Sequence, residues 1–393
     1  MKKYHIVLHR VVIGAEILTL LILLLVFSNN LLAKDHGDVA TDGLIKYVDF
    51  NANYASLNTA YKLDLESYGT EKHLNWIELL SYAATKGGGD FNQSSIKYIN
   101  SVAEEIKGGK TIEDITKDMK YYNYYYQCYS AVLDGLVGEY DIQNESGDWE
   151  HKYGLKGYNP IAKGFSYCDY DDFGVSRSYG YRREHLGHDM MGMIGTPIIA
   201  VESGYVEVLG WNQYGGWRIG IRSFNHKRYY YYAHLRQNRP YAENLKEGDI
   251  VTAGDVIGYM GHTGYSAKEN VNNIDQTHLH FGLELVFDES QKESNNEIWV
   301  DCYALTTFLA KNRCEAVKNE ETKEWTRKIQ LKDPAAEEYE NLPEEEKQKY
   351  SGHHNENEEG NPEGSQDSTE SESTKQESQN NDQQQTQETQ ANN

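Results

Sequence analysis

The stretch that most restricts the fold runs from Tyr153 to Leu309. It divides into short alternating runs, among them TPIIAVESGYVEVLGW, WRIGIRSF, KRYYYYAHL, DIVTAGDVIGYMG and HLHFGLELVF, separated by Gly-Gly, Asn-His-Lys and Gly-Asp turn signals. Alternation with period two buries one face of each strand, and strands this short with tight turns pair antiparallel. Residues 153–310 therefore read as one mainly antiparallel β domain. Its last run places His278, His280, Gly282 and Glu284 on one face and Leu279, Phe281, Leu283 and Leu285 on the other. The apolar face has a core to sit on. The polar face presents two imidazoles side by side, with Gly282 leaving room beyond them, which suits a metal ligand pair, a split between metal and acid/base roles, or a solvated surface.

Three further clusters belong to the same region. In REHLGHDMMG, His185, Gly187 and Asp189 share one face of an extended chain and His188 points the other way, to a supporting or surface place. In YYYYAHL, alternation groups Tyr230, Tyr232 and His234, an aromatic stripe ending in histidine that reads as a groove wall. The glycine-rich GYMGHTGYS, with His262, reads as a loop bordering the site. One carboxylate and several imidazoles from distant segments match what a catalytic zinc requires, namely three protein ligands and an open position, with further histidines nearby for proton transfer.

The flanking segments differ in character. Between Leu44 and Tyr140 the apolar period is helical, with Gly87–Gly89 and Gly108–Gly109 as stops, Ser at the cap of SSIKYINSVAEEIKGG, and Thr111 and Asp114 in capping-box spacing. This predicts a helical accessory unit over 44–140, whose Tyr121, Tyr122, Tyr124, Tyr125 and Tyr126 cover more than one face and so divide between a core and a seam with another domain. At the N-terminus, residues 1–10 carry Lys2, Lys3 and Arg10, and residues 11–33 are apolar enough to span a membrane with the N-terminus inside and the rest outside. A cleaved signal peptide is the competing reading, but a cut after Ala33 would put Leu31 where a small residue is preferred. From residue 333 to 393 the chain is acidic and polar, which predicts a disordered tail. A formal net charge of −23 argues against nucleic acid as a partner. None of the four cysteines, Cys128, Cys168, Cys302 and Cys314, stands in a C-x-x-C pair, so a thiolate zinc site is not expected.

In order and spacing, H-L-G-H-D (His185–Asp189), G-T-P-I-I-A (Gly195–Ala200), Y-A-H-L (Tyr232–Leu235), the glycines near Gly261–Tyr265 and H-L-H-F (His278–Phe281) resemble the lysostaphin-type, or LytM-type, zinc endopeptidases of bacterial cell walls. The likeness covers about Tyr181 to Phe287. It implies an α+β chain with a LytM-like β domain, zinc held by His185, Asp189 and His280, catalytic roles for His234 and His278, and hydrolysis of amide bonds in peptidoglycan peptides. With the anchor, it implies a single-pass protein of the bacterial cell membrane whose domains lie on the extracytoplasmic side. Peptidoglycan and the membrane are then the expected partners, with protein partners left open. One departure stands out: the link Ser266–Thr277 is longer than in the family and lacks its Gly and Pro.

Two other readings use the same residues. Cupins also carry H-x-H-x-x-x-E, which His278, His280 and Glu284 satisfy, but Asn272 and Gln291 stand where their glycines belong and no later histidine follows in the folded region. A membrane-anchored LytM-type scaffold or activator without catalysis is the other alternative. Every ligand and catalytic position here keeps the required residue type, which counts against it. Glu284 is expected to be a polar residue on the rim.

Overall fold

The computed structural model describes residues 45, 47–179, 181–292 and 296–348. The expected cytoplasmic segment, the membrane anchor over 11–33 and the tail beyond residue 348 lie outside the described residues, and no described helix is long and apolar enough to cross a membrane.

Helices occupy Tyr54–Ser67, Trp76–Gly87, Gln93–Lys107, Ile112–Thr116 and Tyr122–Leu133. Polar caps start four of them: Asn53, Asn75 and Asn92 each accept from a backbone N–H in the first turn, and Thr111 accepts from Asp114 N. The third helix begins at Asn92, with Ser95 completing a capping box, so the cap lies upstream of the serine pair. Gly88, at φ 64°, closes the second helix in the left-handed conformation. Of the tyrosine cluster, Tyr122 and Tyr125 are buried while Tyr121 and Tyr126 are exposed. The seam with the β region is built elsewhere. Phe308, on the helix Tyr303–Leu309, packs between Tyr61 and Trp76 at ring separations of 5.6 and 5.8 Å.

Helical structure stops short of Tyr140. After Leu133, Gly135 turns the chain at φ 88°, and Val137–Gln143 becomes a strand between Trp149–Leu155 and Leu331–Lys332. The polar C-terminal segment likewise starts later than its composition suggests. Asp333 is buried against Lys156 at 2.8 Å, and Tyr339, on the helix Pro334–Glu340, stacks on Tyr205 at 5.4 Å. Two anchoring contacts outweigh the acidic composition around them.

The β region centres on a seven-stranded antiparallel sheet in which Gly204–Asn212, Gly216–Ser223, Arg228–Ala233 and His278–Leu285 are consecutive neighbours. His278–Leu285 is central, because its other edge pairs with His188–Met191 and with Ile298–Trp299. Leu279, Phe281, Leu283 and Leu285 are fully buried on one face, and this core continues without a break into Leu57, Trp76 and Leu80 of the helices. Each such side chain contributes about 1.5–3 kcal/mol by leaving water, which fixes the register and sends the histidines to the opposite face.

Candidate metal centre and its relatives

Strand register builds the centre. His280 lies directly across from Asp189, and Phe281 from His188, so Asp189 and His280 share the polar face while His188 turns inward. His185 enters from the end of the hairpin Ser176–Tyr179/Tyr181–Glu184. Its Nε2 lies 2.9 Å from His280 Nδ1 and 3.0 Å from Asp189 Oδ1, and the latter two atoms are 3.0 Å apart. All three ligand atoms fall within 4.8 Å of one another, a group able to hold a metal ion. Two imidazole nitrogens and one carboxylate oxygen, converging and largely buried, match the donor set of a catalytic zinc. Gly187 makes the approach possible: a Cβ there would stand 2.5 Å from His280 Cε1.

The surroundings orient these donors. His185 gives its Nδ1–H to the backbone carbonyl of Asp172 at 3.0 Å, with the Asp172 carboxylate at 3.1 Å, so Nε2 is the nitrogen turned toward the centre. Asp172 also meets His188 Nδ1 at 3.4 Å and Arg177 at 2.7 Å, and Arg177 reaches the outer oxygen of Asp189 at 3.0 Å. Burial opposes charge on His185, but Asp172 and Asp189 outweigh it and push the imidazole up to about 9. Asp189, although buried, is held well below the usual carboxylate range by hydrogen bonds from His185 and His280. Burial lowers His280 against the pull of Asp189.

His278 and His234 border the group, their rings 4.7 Å apart, and His278 Nε2 is 3.7 Å from Asp189 Oδ1. Each donates its Nδ1–H to a backbone carbonyl, His234 to Thr263 at 2.9 Å and His278 to Gln276 at 2.8 Å, which leaves both Nε2 lone pairs available. Burial, with His278 and His280 nearby, holds His234 well below its usual value, as a neutral base. The structure thus brings His185, Asp189, His280, His278 and His234 into one cluster. His262 turns away, its Nδ1 bonded to Ile274 O at 2.7 Å.

Three sequence expectations are corrected here. Tyr230 and Tyr232 do not line a groove; both are buried in the core, where Tyr232 packs on Phe281 at 5.3 Å. His234 leaves their face because its backbone is left-handed at φ 61°, held by His234 N donating to Gly215 O and Gly261 N donating to His234 O. Its neighbour on the site face is Tyr231, whose ring lies 5.9 Å from His280. The room left by Gly282 is filled by Trp299, and Glu284 is 2% exposed with Oε1 lacking a hydrogen-bond partner, so it is not a rim residue. Asp172 and Arg177 escape sequence reading because only the hairpin returns them to His185. The long link Ser266–Thr277 is tied down by Asn270, whose side chain accepts from Trp217 Nε1 and Asn238 N.

Comparison with known proteins agrees with this geometry. Residues 183–295 match peptidase family M23. The L-Ala--D-Glu endopeptidase of Bacillus subtilis is 40% identical over 134 residues, 34% of this chain and 38% of that protein. Lysostaphin of Staphylococcus simulans is 34% identical over 132 residues, 33% of this chain and 23% of that protein. The solved catalytic domain of that lysostaphin is similar at 31% identity over 38% of this chain and 89% of the domain, with a TM-score of 0.25. This chain therefore spans well under half the length of the two full-length relatives. Four free cysteines, three of them buried, complete a region without disulfides. Residues 183–295, with their histidine and aspartate cluster on an antiparallel sheet, are an M23 peptidase domain.

Proposed function

We propose that this protein is a zinc-dependent endopeptidase that hydrolyses amide bonds in peptidoglycan peptides. The observation that carries the reading is one cluster containing three converging donors and two further histidines with free Nε2 atoms. The Bacillus subtilis relative, an L-Ala--D-Glu endopeptidase, supports the reaction class. His185 Nε2, Asp189 Oδ1 and His280 Nδ1 would hold the ion. Zinc bound there supplies Lewis acidity, polarising a carbonyl and acidifying water. Of His234 and His278, one takes the proton of the attacking water at its Nε2 and passes it to the leaving amine, and the other hydrogen-bonds the carbonyl oxygen as charge develops. The backbone carbonyls of Thr263 and Gln276 keep both rings in the tautomer this requires. An N-terminal anchor would place the domain outside the cytoplasmic membrane, facing the wall.

The test measures zinc content and digestion of purified cell wall by the full chain. His280→Ala should lose metal and activity together. His278→Ala should keep the metal and lose activity by at least about a hundredfold. A wild-type chain that binds no stoichiometric zinc sinks the enzyme and leaves a scaffold.

A further inference from the structure

The buried arginines among the described residues are paired: Arg222 with Glu207, Arg228 with Glu202, and Arg327 with Asp255. Arg177, beside the donor cluster, meets both Asp172 and Asp189. Arg183 and Arg218, half-buried near the cluster, are among the arginines that break this pattern. Arg183 and Arg218 face no carboxylate in any ion pair among the described residues. Arg183 hydrogen-bonds the Tyr265 hydroxyl and lies over the rings of Tyr265 and Tyr214, 5.1 and 5.7 Å from their centres. Arg218 has a buried Nε without a hydrogen-bond partner.

Their positions relate them to the chemistry. The ring of Tyr265 is 5.9 Å from that of His234, so Arg183 stands one ring away from that histidine. Gly220 lies across from Tyr231, and period two puts Arg218 on the same sheet face as both. Tyr231 in turn lies 5.9 Å from His280, so Arg218 shares the sheet face that leads through Tyr231 to the donor cluster. A Cβ at Gly215, next to the Tyr214 that Arg183 covers, would stand 2.2 Å from the Tyr231 hydroxyl, so the surroundings of both arginines meet at Tyr231. An unpaired guanidinium taken partly out of water is costly unless an anion completes it. In a chain of net charge −23, two such cations beside one site are a selective feature rather than a general attraction.

We propose that Arg183 and Arg218 form a carboxylate-binding subsite, so that the preferred substrate is a peptide with a free carboxylate within about three residues of the scissile bond, the reach of an extended chain at roughly 3.3 Å per residue. This rests on the endopeptidase reading. Other anions would meet the same donors, but a carboxylate fits the planar fork of Arg and is an ordinary constituent of peptide substrates.

The test uses the full chain carrying His278→Ala, so that peptide binds without turnover. Two probes are compared by calorimetry: a stem peptide whose D-glutamate has a free α-carboxylate, and the same peptide amidated there. The free acid should bind about tenfold tighter, and the preference should fall toward unity in Arg183→Gln and in Arg218→Gln while Arg183→Lys keeps part of it. Raising ionic strength should shrink the preference in the unsubstituted subsite, a measurement that does not depend on how the variants fold. Equal binding of the two peptides, or a preference indifferent to both salt and the Gln substitutions, overturns the subsite. A preference without cell-wall cleavage by the wild-type chain would sink the endopeptidase and leave the subsite standing. Cleavage without a preference does the reverse.

Discussion

At the scale of single residues, Glu284 and His234 show how one strand face acquires different chemistries. Glu284 belongs to the same row as His278 and His280, yet it is buried, with Trp299 across from it in the register. Burial, reinforced by Glu297, raises its carboxyl from 4.5 to about 8, against the pull of Arg222 and Lys292. The folded state therefore keeps a proton that the unfolded chain has released. Stability is unaffected below pH 4.5 and falls as pH rises between 4.5 and about 8, by at most about 1.4 kcal/mol per pH unit from this group. Glu284→Gln should remove that slope: melting temperatures of variant and wild type should agree near pH 4 and diverge toward pH 8, with the variant higher. Parallel curves would show that Glu284 ionises normally. His234 is the opposite case, a residue whose place depends on backbone rather than burial. Alternation through YYYYAH sends it to the core face, and a left-handed φ of 61° returns it to His278. No residue type in the sequence announces that φ, since histidine tolerates it less readily than glycine.

At the scale of elements, the strand His278–Leu285 was legible because its apolar half is uninterrupted and its period strict. The same holds for His185 and Asp189, whose shared face follows from spacing alone. What spacing could not show is how the elements meet. Asp172 and Arg177 reach His185 and Asp189 only after the hairpin folds back, and Trp299 covers Gly282 only after Ile298–Trp299 joins the sheet edge. Helix caps were readable where one side chain decides them, as at Thr111, and misplaced where two candidates stood close together, as at Asn92 and Ser94. The segment His185–Asp189 carries its own test. Gly187→Ala would place a methyl 2.5 Å from the His280 ring and 3.0 Å from the Phe281 carbonyl oxygen. Because the backbone there can accept alanine, the consequence should be local: zinc affinity lower by on the order of tenfold, with the fold retained. A competition titration against a chromophoric chelator measures it, and undiminished affinity would mean that His280 can shift and still bind.

At the scale of the whole molecule, the helical and β regions share one apolar core, and several ties cross from one to the other. Phe308 sits against Tyr61 and Trp76, Arg228 Nη1 donates to the Ala131 carbonyl at 2.9 Å, and Leu155 N donates to the Tyr61 hydroxyl at 3.2 Å. A fragment of residues 153–310 would expose Phe308 and leave the Ala131 side of Arg228 unpaired. It should melt at least about 10 °C below the full chain or fail to stay soluble, as read by calorimetry; equal melting would show that the β region folds alone. Lys156 adds a further tie, since its partner Asp333 lies beyond residue 310. The shared core bears on how such a protein can be recombined. The match to peptidase family M23 begins at residue 183, but a gene fusion cut there would sever the sheet and helix contacts that hold the centre in place. An exchange of binding specificity between relatives therefore has to carry along the helices whose Leu57, Trp76 and Leu80 complete the core.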